Sequence, residues 1–232
     1  MNAYFTEDRL SGLPPLYVVT DTGIGRGRSH AALAALSAAG GAGVIQLRDK
    51  ELSGSDLLKE AIAVREALAG QNAIFIVNDS LAVALASGAD GVHLGQGDGS
   101  VQEARTEADR VVAVRNKSRD GPDRRFIIGV SVGSVAEARR AIHEGADYVA
   151  LGPVYATTSK ADAGAVCGLG LLQEIREAVS VPVVGIGGIG MHNVQDVFRA
   201  GADSAAVISA VVAEEDVTAA ARAMCGMIDG VR

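Results

Sequence analysis

Short runs of Val, Ile and Leu recur along this chain, separated by longer stretches in which Ala and Leu return every three or four residues. The short runs predict eight strands, over Leu16–Thr20, Gly43–Leu47, Ala73–Val77, Gly91–Leu94, Phe126–Val130, Tyr148–Leu151, Val181–Gly185 and Ser204–Ile208. Each is short and rich in Val, Ile or Leu, as parallel strands covered on both faces tend to be. The periodic stretches between them predict helices, among them Ser55–Leu68, Val135–Glu144, Gly170–Val179 and His192–Ala200. Several helices end in one shared phrase: Gly-Ala-Asp closes at Asp90, Asp147 and Asp203, with Ala39-Gly-Gly-Ala-Gly43 as a weaker fourth copy. Glycine supplies the left-handed residue that stops a helix, and the chain then enters the next strand. The repeat is one of βα units, not of a solenoid.

Strict alternation of strand and helix leaves a closed barrel or an open doubly wound sheet. A length of 232 residues matches eight βα units in one domain, with a barrel core over about 15–228. No GxGxxG follows the first strand, which removes the main signal for a dinucleotide fold. The expected architecture is therefore a single-domain (β/α)8 TIM barrel. The charged stretch Asn116–Arg125, with Gly-Pro at its centre, reads as an exposed loop before the fifth strand.

Composition narrows this further. Hydrophobic residues make up 48% of the chain and aromatics only 3%, so small aliphatics must fill the core. A formal charge of −7 argues against a general nucleic-acid binder, yet a local basic cluster can still attract an anion. Cys167 and Cys225 form no CxxC pair and read as reduced thiols. The polar segment Met1–Leu10 lacks an apolar targeting core, and no run reaches membrane-spanning length, so a cytoplasmic protein without membrane partners is expected.

Barrel enzymes carry their chemistry on the loops after the strands. After the second strand, alternation puts Gln46, Arg48 and Lys50 on one side, a planar fork and a point charge suited to a diphosphate. Asp79 and Asp98 follow the third and fourth strands, where their carboxylates can converge. Asp79 could instead cap the next helix. The neighbouring basic cluster tips the reading to a cation such as Mg²⁺, which takes one or two carboxylates plus phosphate oxygens and water. His93 lies inside its strand and reads as a hydrogen-bonded core histidine. Ser131 follows the fifth strand, and Thr157, Thr158, Ser159 and Lys160 sit in a long Gly-Pro loop after the sixth. Gly187-Gly188 after the seventh strand and Ile208-Ser209 after the eighth let backbone N–H groups approach a phosphate. Two anion sites on one rim are predicted, one with a metal and one without. No Ser/His/Asp or Cys/His nucleophile arrangement stands out.

In order, these motifs are Tyr17-Val-Val-Thr-Asp21, Gln46-Leu-Arg-Asp-Lys50, Val77-Asn-Asp79, His93-Leu-Gly-Gln-Gly-Asp98, Gly129-Val-Ser131, Gly152-Pro-Val-Tyr155 with Thr157 and Ser159-Lys160, Gly187-Gly-Ile189 and Val207-Ile-Ser-Ala210. The ordered set resembles the thiamine-phosphate synthase family from about Leu16 to Ala210, nearly the whole chain. The resemblance implies condensation of a hydroxymethylpyrimidine diphosphate with a thiazole phosphate, releasing diphosphate, with Mg²⁺ as cofactor. By it, Gln46, Arg48, Lys50, Asn78 and Lys160 would hold the pyrimidine diphosphate, with Leu47 and Asp49 in the same binding run. Asp79 and Asp98 would hold Mg²⁺, and Ser131 would lie near the reacting methylene, making Ser131, Lys160 and Arg48 the catalytic candidates. Thr157, Thr158, Ser159, Gly188, Ile208 and Ser209 would hold the thiazole phosphate.

This chain departs from the family pattern at Ser159 for Thr, Ala156 for Pro, Ser80 for a basic residue, and a longer segment between Asp98 and Arg125. A thiazole tautomerase of the same superfamily, another phosphate-binding barrel or a silent ligand-binding barrel would share parts of this set. The joint presence of Arg48, Lys50, Asp79, Asp98 and Lys160 argues for the synthase. A homo-oligomer is compatible with the sequence.

Overall fold

The computed structural model of the chain describes residues 5–6, 9–10, 12–117, 125–159 and 164–231. Eight strands, β1 (Leu16–Thr20), β2 (Val44–Leu47), β3 (Ile74–Asn78), β4 (Gly91–Leu94), β5 (Ile127–Val132), β6 (Tyr148–Leu151), β7 (Val183–Ile186) and β8 (Ser204–Val207), form a closed barrel. Every neighbouring pair is parallel and consecutive in sequence, and β8 closes onto β1. The connecting helices are α1 (His30–Ala39), α2 (Gly54–Ala67), α3 (Leu81–Ser87), α4 (Val101–Lys117), α5 (Val135–His143), α6 (Gly168–Ala178), α7 (Val194–Arg199), a short α8 (Ser209–Val212) and α9 (Val217–Asp229). Outside the barrel, Phe5–Thr6 pairs antiparallel with Arg9–Leu10. Among the described residues no helix is long and apolar enough to cross a membrane.

The strands lie within two residues of their expected ends. Two shifts matter for the site. Ser131 is inside β5 rather than after it, and Asn78 is the last residue of β3. The β7 strand starts at Val183, past Pro182, whose missing N–H cannot join a ladder. The loop read over Asn116–Arg125 also starts later than expected. Helix α4 runs 17 residues to Lys117, so Asn116 and Lys117 end a helix, and residues 118–124 lie outside the described residues.

The Gly-Ala-Asp phrases are more than helix stops. Gly88, Gly145 and Gly201 do turn left-handed, at φ of 73°, 109° and 96°. The Asp that follows then clamps the preceding strand at two points. Asp90 donates its N–H to Phe75 O and accepts from Phe75 N, at 2.8 and 2.9 Å. Asp147 does the same with Ile128 at 2.7 and 2.8 Å, and Asp203 with Val183 at 2.9 and 2.8 Å. The clamp therefore recurs where β4, β6 and β8 begin, on every second strand. The weak copy at Gly43 keeps only the backbone half, donating to Leu16 O at 3.1 Å.

Each carboxylate also meets arginine: Arg65 stands 4.0 Å from Asp90, Arg176 is 2.7 Å from Asp203, and Arg105 and Arg125 both bind Asp147. Asp147 is the most enclosed of the three, its side chain only 5% exposed against 39% for Asp203. Removing one partner from a buried pair strands the other charge, at about 3 kcal/mol or more. Asp147→Ala is thus expected to lower the melting temperature by roughly 6–12 °C, taking about 2–4 °C per kcal/mol for a chain of this size. Asp203→Ala should cost well under half of that. Equal losses in urea titrations of the two variants would contradict the clamp's dependence on burial.

Candidate active site

The carboxyl ends of the strands open into a cleft of about 410 Å³. Tyr17, Val19, Ala150, Val184 and Ala206 are among the residues lining it from inside the barrel, and Gln46, Arg48, Lys50 and Asn78 contribute from β2 and β3. The strand ends at Leu47, so alternation does not extend to Arg48 and Lys50, but residues 46, 48 and 50 all line the cleft. Ser131 lines it from β5. Its carbonyl accepts from Gln96 Nε2 at 2.5 Å, and Gln96 Oε1 in turn accepts from Arg140 at 3.2 Å. Glu137, in the first turn of α5, also lines the cleft and accepts from Gly133 N at 2.7 Å.

Asp79 and Asp98 meet on this same rim. Asp79 adopts φ of 62°, a left-handed conformation that non-glycine residues enter rarely and Asp more readily than most. It does not cap α3. Ser80 does, its side chain accepting from Val83 N, so the Asp79 carboxylate is left for the cleft. Burial, then the hydrogen bond and negative charge of Asp98, raise the Asp79 carboxyl to about 6, against the opposing pull of Lys50 and Arg48. Asp98 Oδ2 accepts from Gly95 N at 2.7 Å, which fastens its own loop.

Two carboxylates held within reach of one another, at a cost, are a donor set that fits a hard divalent cation. Among the described residues no group of three or more His, Cys, Asp or Glu could hold a metal. The pair is therefore suited to an ion whose remaining ligands come from phosphate oxygens and water, as Mg²⁺ accepts.

The raised Asp79 carboxyl has a consequence for stability. A carboxyl whose folded pKa exceeds its unfolded value destabilises the fold above about pH 6 and imposes no penalty below about pH 4. A shift from 3.8 to about 6 would correspond to about 3 kcal/mol. Asp79 is only half-buried, so solvent screening cuts this to about 1 kcal/mol. Asp79→Asn, which tolerates the same backbone, should then melt about 2–4 °C higher at pH 7.5 in chelator. The gain should fade as the pH falls toward 4, and a constant gain across that range would refute the charge argument.

A second cleft, of about 600 Å³, adjoins the first and shares Thr157, Ile186, Gly187 and Ala206 with it. Thr157, Thr158, Ser159, Gly188, Ile208 and Ser209 all line it. Ser159 Oγ lies 3.1 Å from Ser209 Oγ, and Thr157 Oγ1 accepts from Ser159 N at 3.2 Å, so the loop after β6 and the start of α8 are joined through hydroxyls. Gly187 and Gly188 have φ of 99° and 64°. The side chain of Asn193 holds this turn, accepting from Gly190 N at 2.8 Å and donating to Gly188 O at 2.9 Å.

Three expected residues stand apart. Leu47 is fully buried and Asp49 lines neither cleft. Asp49 accepts from Glu51 N and Leu52 N at 2.8 and 3.1 Å and faces His30 Nε2 at 3.2 Å, so it shapes the loop that carries Arg48 and Lys50. Lys160 lies outside the described residues. His30 also meets Thr20 Oγ1 at 2.7 Å, so Thr20, His30 and Asp49 align like a nucleophile triad. Thr20 is fully buried and its hydroxyl donates to Gln46 O at 3.2 Å, so this set braces β1, α1 and β2 rather than attacking a substrate. Cys167 and Cys225 are both free. Sequence reasoning passed over Tyr17, Gln96 and Glu137 as cleft residues. Tyr17 opens a quoted motif and Glu137 follows a Ser cap at Ser134, signals that could have pointed to them.

A family profile described as thiamine monophosphate synthase matches residues 16–211. The thiamine-phosphate synthase of Methanoculleus marisnigri is 61% identical over 209 residues, covering 90% of this chain and 92% of its own. That of Methanocella arvoryzae is 53% identical over 217 residues, 94% of this chain and 96% of its own. Among solved structures, the thiamine phosphate pyrophosphorylase from Pyrococcus furiosus matches with a TM-score of 0.80 at 34% identity, covering 94% of this chain and 96% of that one. A 3-hexulose-6-phosphate synthase matches with a TM-score of 0.66 at 20% identity, which speaks to the fold alone.

Proposed function

This chain belongs to the thiamine monophosphate synthase family and is a transferase of thiamine biosynthesis; from that premise we propose that it joins a hydroxymethylpyrimidine diphosphate to a thiazole phosphate, releasing diphosphate and forming thiamine phosphate. The observation that carries this reading is the meeting of Gln46, Arg48, Lys50, Asn78, Asp79, Asp98 and Ser131 on one cleft that opens directly into a second, hydroxyl- and glycine-lined cleft. Two anionic substrates then sit side by side on one rim.

The reaction breaks the C–O bond between the pyrimidine methylene and its diphosphate and forms a bond from the thiazole nitrogen to that carbon. The electron pair of the broken bond leaves with the diphosphate. Arg48 and Lys50 are positioned to stabilise that growing negative charge, a fork and a point charge in the loop after β2 that both line the cleft. Asp79 and Asp98 would hold Mg²⁺, which when bound neutralises diphosphate oxygens. Thr157, Thr158, Ser159, Gly188, Ile208 and Ser209 hold the thiazole phosphate, aiming its ring at the first cleft. No enzyme nucleophile is required, because the aminopyrimidine itself can carry positive charge at the methylene. Lys160 joins the diphosphate ligands on sequence grounds.

The test is direct. The protein with both substrates and Mg²⁺ should release thiamine phosphate and diphosphate in equal amounts, and excess chelator should stop it. Absence of product with both substrates saturating would overturn the assignment, and undiminished product in chelator would overturn the metal.

A further inference from the structure

On the floor of the first cleft, five side chains from five strands form one unbroken hydrogen-bonded chain. Gln46 Nε2 on β2 donates to Tyr17 Oη on β1 at 2.7 Å. Tyr17 Oη lies 3.0 Å from Tyr148 Oη on β6, which lies 3.0 Å from His93 Nδ1 on β4. His93 Nε2 lies 2.9 Å from Ser131 Oγ on β5. Gln46, Tyr17, His93 and Ser131 line the cleft assigned above to the pyrimidine diphosphate, and Tyr148 does not.

The centre is packed as tightly as it is bonded. Tyr148 is fully buried, Tyr17 nearly so, and the Tyr148 and His93 rings stack with centroids 5.6 Å apart. Gly129 pairs in register with both His93 and Tyr148, and a Cβ there would fall 2.0 Å from the Tyr148 ring. The missing side chain at Gly129 is what lets the ring occupy this place. Burial pushes both phenols well above their ordinary pKa, so each carries its proton.

For a neutral imidazole, proton accounting selects one direction in which every donor of the chain is used. A hydroxyl has one proton to give, and a neutral imidazole has one N–H. Gln46 donates to Tyr17, and the direction that also gives the Tyr17 proton an acceptor within the chain runs from Tyr17 to Tyr148 and from Tyr148 to His93 Nδ1. The imidazole proton is left on Nε2 and is donated to Ser131 Oγ. The Ser131 hydroxyl proton is then free to point into the cleft. We propose that His93 is a positioning residue: as the Nε2–H tautomer it holds Ser131 so that the serine donates to an acceptor on the pyrimidine diphosphate.

This inference rests on the synthase reading for its substrate, but not for its tautomer. The expected loss from each of His93→Leu and Ser131→Ala is about 10²-fold in kcat, the scale of one oriented donor. The double variant should be no slower than the worse single one if His93, which also lines the cleft, acts through Ser131 rather than by touching substrate. His93→Gln, which keeps an N–H at similar reach, should recover at least tenfold over His93→Leu, and KM for the thiazole phosphate should stay unchanged throughout. Losses that multiply in the double variant would overturn the proposal. Independently, ¹⁵N spectra of histidine-labelled protein, with His93→Gln identifying the resonance, should show Nδ1 unprotonated and Nε2 protonated. The opposite tautomer overturns it whether or not His93→Leu folds. Wild-type protein that makes no thiamine phosphate defeats the substrate reading, and the tautomer still decides the positioning role.

Discussion

Asp98→Ala is expected to abolish turnover, by about 10³-fold or more in kcat with both substrates saturating, while leaving the fold intact. Asp98 is exposed, and its carboxylate accepts from Gly95 N within its own loop. Loss of one exposed hydrogen bond costs about 1 kcal/mol at most, so the melting curve should barely move. Chemistry should suffer far more, because the facing carboxylate of Asp79 alone is a poor seat for a divalent ion next to Arg48 and Lys50. The variant also removes the charge that helps raise the Asp79 carboxyl. Steady-state rates alongside a thermal melt decide the matter, and full activity in the variant would sink the metal assignment.

The second large effect is expected at Gly188. A Cβ there would stand 2.5 Å from Ala156 O and 2.7 Å from Tyr155 Cβ, at a φ of 64°. The obstruction is backbone and the root of a side chain, so no rotamer change relieves it. Nor can the turn swing away freely, because Asn193 donates to Gly188 O from the other side. Overpacking of this kind costs about 1–3 kcal/mol, with about 1–2 kcal/mol more for the left-handed backbone. That strain should be met by the turn and the Thr157–Ser159 loop moving apart. KM for the thiazole phosphate in Gly188→Ala should accordingly rise about 10²-fold, the equivalent of about 2.7 kcal/mol. KM for the pyrimidine diphosphate should change little. If both constants remained at wild-type values, the phosphate would have to bind elsewhere.

Much of the candidate site was legible because barrel chemistry lies at predictable places. Once eight strands are located, the residues just after them are the rim, and Arg48, Lys50, Asp79, Asp98 and the Thr157–Ser159 run stand out by charge and hydroxyl content alone. The misplacements have local causes. Asp49 sits between two rim cations, yet its carboxylate turns to the N–H groups of Glu51 and Leu52 and to His30, a choice set by loop geometry. For Asp79 the neighbouring basic cluster already favoured the cleft over a helix cap, and Ser80 fills the cap.

The chain's own pattern determined the strands, the barrel and the residues that line the two clefts, because apolar runs, glycine stops and rim charges are all encoded within a few residues of one another. Only the closed barrel decided the Tyr17–Tyr148–His93–Ser131 line and the carboxylate clamps on alternate strands. Tyr17 and Tyr148 are 131 positions apart, and His93 and Tyr148 are 55 apart. Such partners become neighbours only when β8 meets β1 and every strand takes its register, so the hydrogen bonds between them are a property of closure rather than of any local segment.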